Sequence, residues 1–398
     1  MTRRHTHSRR NVLRTIGAGV VAGSVISGSA SAQGRGGGSR NVVSIEMKHP
    51  DDGGDHYIFD FSTKEIKQGW TTFVYENQSG STHLGPTSRY TPDSVDTIDT
   101  IVAYDGNDID SRREAQIELI AKPFQEAFDP YWEGDDNMFE FFGKLGAFIQ
   151  SAQEDAWPGD PDDIVWEGVS VGGPGLIQGH HTGRTTMYLE PGVYNMECYV
   201  LDDDGVFHTD HMLEVFEVIE DESNAAEPNA DVEVTIDSVD GIAMNGSIDR
   251  PGRYRFGVTF GDNVNYLHGL GHDVNLIRLE GDTHIDDPEG DDEMDVNIWV
   301  DWLDAVPEEG FKYGQRGALT STSANPGPGT WLGGVQDISP GDAHPTAYFE
   351  ASLKPGDYAL VAEVPNPVDA QPLDENFLPI GDTVELVEEF TVTPPGRR

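Results

Sequence analysis

His83, Cys198, His208 and Met212 supply two imidazoles, a thiol and a thioether, a donor set suited to a metal that changes oxidation state. Two nitrogens beside a strong thiolate and a weak thioether favour copper cycling between Cu(I) and Cu(II), with the axial sulfur tuning the potential. His211, next to Met212, offers an alternative to His208 as the second imidazole. Cys198 is the only cysteine in 398 residues, so no internal disulfide forms and the thiol is a core residue, an intermolecular link or a ligand. Each residue alone has a plain reading: a small buried hydrophobe, a core methionine, a surface histidine. Their joint occurrence is what points to a metal.

The elements before them set the compartment. Ser8, Arg9, Arg10, Asn11, Val12 and Leu13 form a twin-arginine start, followed by a weakly apolar run from Ile16 to Ile26 and an Ala30-Ser31-Ala32 cleavage site. Residues 1–32 are thus predicted to be a Tat export signal, and 33–40 a glycine-rich tether. No later segment is apolar for long enough to span a bilayer, so the expectation is an exported soluble protein without membrane insertion, free or at the cell surface.

The formal charge is −46, and loss of the five arginines before residue 33, a stretch without acids, makes it −51. Nucleic acid is therefore an unsuitable partner. Seven of the 25 basic residues are lysine and the carboxylates are spread along the whole chain. This resembles the surfaces of proteins from salt-loving archaea, on which carboxylates stay hydrated while salt screens their repulsion.

A repeat indicates where the mature chain divides. Trp166 to Val200 and Trp331 to Val364 share one grammar: a strand, a Pro-Gly turn (Pro191-Gly192, Pro355-Gly356) and a second alternating strand. Gly69 to Glu76 parallels Gly252 to Thr259, and these lead to His83 and His268. A polar linker at 221–230 separates a domain at 41–220 from one at 231–394. Period-two strands punctuated by Gly and Pro predict an all-β fold of two β-sandwiches. In the first, Ala115 to Ala152 carries apolar residues at helical spacing, predicting one or two inserted amphipathic helices, and Val296 to Val306 is a shorter analogue in the second.

Tyr75-Glu76-Asn77 leading to His83, then L-E-P-G-V-Y-N-M-E-C-Y-V-L-D-D-D-G-V-F-H-T-D-H-M and the strand E-V-F-E-V, resembles the cupredoxin (blue copper) family. The resemblance covers about 41–220, with a degenerate copy over 231–394. It implies two cupredoxin-like Greek-key sandwiches, one copper ion in the first domain on His83, Cys198, His208 and Met212, and single-electron exchange with a redox protein partner. Nine residues separate Cys198 from His208, a longer metal loop than small members of that family carry. Aligning the two Pro-Gly turns puts Ala362 where Cys198 sits, so the second domain is expected to hold no copper of this type.

No nucleophile elbow, phosphate loop or Rossmann glycine pattern occurs, and the chain is not expected to be an enzyme. Two other functions fit the same residues: a copper-free extracellular binding or structural module, and copper storage or delivery. Oligomeric state is not legible in the sequence.

Overall fold

The computed structural model describes residues 41–394 apart from 51–53, 55, 104–105, 107, 134–137, 222–224, 262–270, 282, 284, 286–295, 301–318, 364–365, 368–382 and 385. The predicted signal and tether (1–40) and His268 lie outside the described residues.

Alternation builds the first strands directly. In β1 (Asn41–Lys48), Val43, Ile45 and Met47 are buried while Val42, just before them on the opposite face, is 61% exposed. Eight further strands complete the first half: β2 (Ile58–Phe61), β3 (Glu65–Lys67), β4 (Gly69–Asn77), β5 (Thr87–Tyr90), β6 (Gly168–Ser170), β7 (Thr182–Leu189), β8 (Gly192–Glu197) and β9 (Leu213–Ile219). The second half contains β10 (Val232–Asp237), β11 (Gly241–Asn245), β12 (Gly252–Phe260), β13 (Val274–Leu279), β14 (Thr330–Val335), β15 (Thr346–Leu353), β16 (Gly356–Val361), the two-residue pair β17 (Asn366–Pro367) and β18 (Thr383–Val384), and β19 (Val387–Val392).

In the first half, the layer β2-β1-β4-β7 faces the layer β3-β9-β8-β5-β6. Phe61 of β2 stacks on Phe216 of β9 at 5.7 Å, and Phe73 of β4 meets the same ring edge-on at 6.0 Å. In the second half, β11-β10-β12-β15 is one layer and β14-β13-β16-β19 the other. The fold is thus all-β in class, built of β-sandwiches.

The two halves share a sheet. β15 pairs antiparallel with β7 (Tyr348↔Thr186, Phe349↔Thr185), giving one continuous order β11-β10-β12-β15-β7-β4-β1-β2. A second seam runs along 171–178, where Gly175 N donates to Gly334 O, Gly333 N to Leu176 O, and Gln178 N to Trp331 O. Backbones approach so closely there that a Cβ on Gly175 would lie 2.6 Å from Gly334 Cα.

The helical insertion is longer than the apolar periodicity predicts: it starts at Pro92, not near Ala115. Helix α1 (Pro92–Val102) begins with proline at its first turn and is capped by Thr91, whose side chain accepts from Ser94 N. α2 (Ile109–Gln116) runs through a π-turn at Ile117–Ala121 into α3 (Lys122–Trp132), and α4 (Met138–Ala156) follows. The π-turn ends just before Pro123, which lacks the N–H that a regular helix needs. In the second half, α5 (Val296–Val300) occupies the start of the predicted shorter analogue.

Candidate metal centre

β4 ends on Asn77, and the buried Asn77 side chain organises the turn that delivers His83. Its Nδ2 donates to Ser81 O (2.8 Å) and Ile177 O (3.0 Å), and its Oδ1 accepts from Ser79 N (3.0 Å) and Ser79 Oγ (2.7 Å). Ser79 Oγ also lies 2.8 Å from His83 Nε2. A hydroxyl has one hydrogen, and with it given to Asn77, Ser79 accepts from His83 Nε2–H. That tautomer leaves the lone pair on His83 Nδ1. The backbone of His83 is fixed by a two-way bridge to Ile177.

Cys198 follows β8, and its N–H donates to Met212 O at 2.9 Å. The intervening loop folds back through a 3-10 turn at His208–Asp210, with Met212 N bonded to His208 O and Thr209 Oγ1 donating 2.8 Å to Cys198 O. Cys198, Met212 and His83 are fully buried, and His208 is 8% exposed.

Three donor atoms converge. His83 Nδ1 is 3.1 Å from His208 Nδ1, and Cys198 Sγ is 3.7 Å from each. A triangle with those sides has a centre about 2.0 Å from every corner, close to the ~2.0–2.3 Å at which imidazole and thiolate bind a transition metal. Among the described residues this is the one group of three or more His, Cys, Asp or Glu ligand atoms gathered so closely. Met212 is buried in the same apolar cluster as Cys198, and its main chain brackets that residue and His208. His211 stands apart, half-exposed, with Nε2 3.2 Å from Asp210 and its ring tilted against His56 at 3.9 Å between centroids.

The electrostatics suit a cation. Burial holds His83 well below the usual imidazole range and His208 down to about 3, so both rings are neutral. Burial pushes the Cys198 thiol up to about 12, partly opposed by hydrogen bonds from the Leu84 and Val200 backbones. Without a cation the thiol keeps its proton; a soft metal would take that proton's place. His208 Nε2 is buried with no hydrogen-bond partner among the described residues.

The surroundings wall the centre off. Tyr57 stands edge-on to His83 (4.7 Å) and His208 (5.0 Å), its hydroxyl 2.8 Å from Ser81 Oγ. The insertion clamps the metal loop: Phe207 packs against Phe124 (4.9 Å) and Phe128 (4.7 Å), Gln125 bonds Gly205 O and Phe207 N, and Arg113 bonds Leu213 O and His211 O. From the second half, Ser321 Oγ accepts from Thr82 N, beside His83, and Ser321 N donates to Leu201 O. The roles of Ser79, Tyr57 and Ser321 escaped the sequence reading; for Ser79 the four-residue spacing to His83 was the available signal.

The second half repeats part of this frame, with Ala362 at the place of Cys198. Ala362 N donates to Leu386 O (3.1 Å) as Cys198 N does to Met212 O, both residues being buried. Tyr358 donates to Lys354 O and Tyr194 to Glu190 O, each four residues back.

No family model matches the chain, and no curated protein matches it. Among solved structures the chain is similar to a multicopper oxidase (9% identity, 88% of each chain covered, TM-score 0.18) and to Lac15 from a marine microbial metagenome (8% identity, 90% of this chain and 68% of that one, TM-score 0.17). It is also similar to a Cu-containing nitrite reductase from Thermus scotoductus SA-01 (11% identity, 81% of this chain and 56% of that one, TM-score 0.16). The assignment of fold rests on the sheet topology itself.

Proposed function

We propose that this chain is an exported cupredoxin-like electron carrier, in which His83, Cys198, His208 and Met212 hold one copper ion. The observation that carries the reading is the triangle of His83 Nδ1, His208 Nδ1 and Cys198 Sγ, whose centre is equidistant from all three at bonding range. Bound there, copper supplies one-electron chemistry.

The chain's own residues supply rigidity and dryness. Ser79 and Asn77 hold the His83 ring, Thr209 ties the metal loop to Cys198, and the Cys198–Met212 backbone bond fixes the two sulfur residues against each other. Donors that do not move between oxidation states keep the reorganisation energy of electron transfer low. Tyr57, the aromatic insertion and the second half keep water from the thiolate.

A carrier is favoured over an oxidase because no His-x-His pair, the signature of multinuclear copper sites, occurs after residue 32. The twin-arginine start supports export of the folded, loaded protein by the Tat route, and electrons would then pass to and from another protein outside the membrane.

The test is the visible and EPR spectrum of the mature protein titrated with Cu(II) in molar salt, beside Cys198→Ser. An intense thiolate-to-copper band present only with Cys198 is expected. Its absence from the unaltered, folded protein would overturn the reading.

A further inference from the structure

In a chain where acids outnumber bases 71 to 25, one groove reverses the balance. It runs over the shared sheet where the halves join and continues to the rim of the second sandwich, as two adjoining hollows of about 530 and 650 Å³ that share Arg184, Arg253 and Glu350. Its walls contribute Arg184, Arg253, Arg255, Arg278 and Lys354 against Asp231, Glu280 and Glu350. At the composition of the whole chain, eight ionised residues would hold about two bases.

The cations are incompletely used. Glu350 is shared by Arg253 and Arg255, and Arg278 gives one terminal nitrogen to Glu280 and the other to Pro355 O, while its Nε is buried without a hydrogen-bond partner among the described residues. Arg184, half-buried on β7 beside that network, makes no hydrogen bond or ion pair among the described residues, and the Lys354 ammonium, exposed at the groove's end, makes none either. Sinking a guanidinium part-way into a sheet face without a carboxylate costs solvation, which an incoming anion would restore.

We propose that this groove binds an acidic oligosaccharide, a chain of sugars bearing carboxylates. Guanidinium forks match carboxylates bidentately, and such contacts survive molar salt, where charges beyond about 3 Å are screened. Thr182, Thr330 and Ser352 offer hydroxyl partners to sugar hydroxyls along the same wall. An acidic peptide fits less well: β7 and β15 pair only through Thr185–Thr186 and Tyr348–Phe349, and the edges left beyond that pairing, 182–184 and 350–352, are three residues each, too short for a peptide to add as a strand.

The test is calorimetric titration of the full mature protein in molar potassium chloride with an oligouronate, a neutral oligosaccharide of equal length, and poly-glutamate of equal charge. Only the oligouronate should bind. Arg184→Gln and Lys354→Gln should each weaken it about tenfold, whereas Lys122→Gln, on α3 and outside the groove, should not. Melting curves check the fold; among the described residues Arg184 and Lys354 make no ion pair whose loss would unfold the chain. No oligouronate binding by folded protein, equal binding of poly-glutamate, or unchanged affinity in both groove variants would each overturn the proposal.

Discussion

The Tyr199 hydroxyl donates to Glu363 Oε2 at 2.7 Å, and the two residues stand at matching points of the two halves, one directly after Cys198 and the other directly after Ala362. The bond leads into a buried acid pair. Glu363 N donates to Asp273 Oδ1 at 2.7 Å, and Asn275 and Gln336 bond Asp273 Oδ2.

That pair makes stability fall as pH rises. Burial holds Asp273 up at about 6 and Glu363 well above the usual carboxylate range. A raised folded-state pKa means that the folded chain binds more protons than the unfolded one. The contribution is complete below about pH 4 and is lost as pH climbs through 6 and beyond, to an upper bound of about 3 kcal/mol from Asp273. Melting temperature at constant molar salt should drop between pH 5 and 8, and Glu363→Gln should flatten that slope.

Ser79→Ala should loosen the His83 ring without disturbing its backbone bridge to Ile177. Loss of a hydrogen bond behind a metal-bound imidazole lowers metal affinity about 10–100-fold. Competition with a Cu(I) chelator would measure it, and an affinity equal to that of the unaltered protein would remove Ser79 from the site.

Met212→Leu keeps the volume of the side chain and takes away the thioether. Copper should still bind with its thiolate band, and the potential should rise, since a weak donor stabilises the more oxidised ion. Voltammetry of the two proteins under one condition decides it.

The insertion is held to the metal loop by packing. Phe128 is fully buried between Phe207, Phe141 and Tyr131. Phe128→Ala should cost about 3–5 kcal/mol and quicken hydrogen exchange at 205–212 before the sheets are affected.

The strands were legible where burial alternates on one face, as in β1, and where Pro-Gly turns repeat, as before β8 and β16. The convergence of His83 with Cys198 followed from donor type and chain order, because β4 and β8 bring their C-terminal ends to the same edge of the sandwich. The front of the insertion was not legible. α2 reads I-D-S-R-R-E-A-Q and buries Arg112 and Gln116, so its contacts are polar and leave little apolar period. Arg112 earns its buried place through a fork to Asp99 at 2.6 and 2.8 Å. The arginine groove was equally hidden, since residues as far apart as Arg184 and Lys354 become neighbours only when β7 meets β15.

The joining of β7 to β15 has a consequence for what happens if the chain is cut. Made separately, with the chain divided within 221–230, each half would offer a naked strand, with its unsatisfied amides and carbonyls, to any other copy it met. The half that lacks the cysteine thereby has work that needs no metal: it shields its sibling's open flank from self-association. Protease nicking at that linker should leave the protein intact in solution, while either fragment made alone should precipitate.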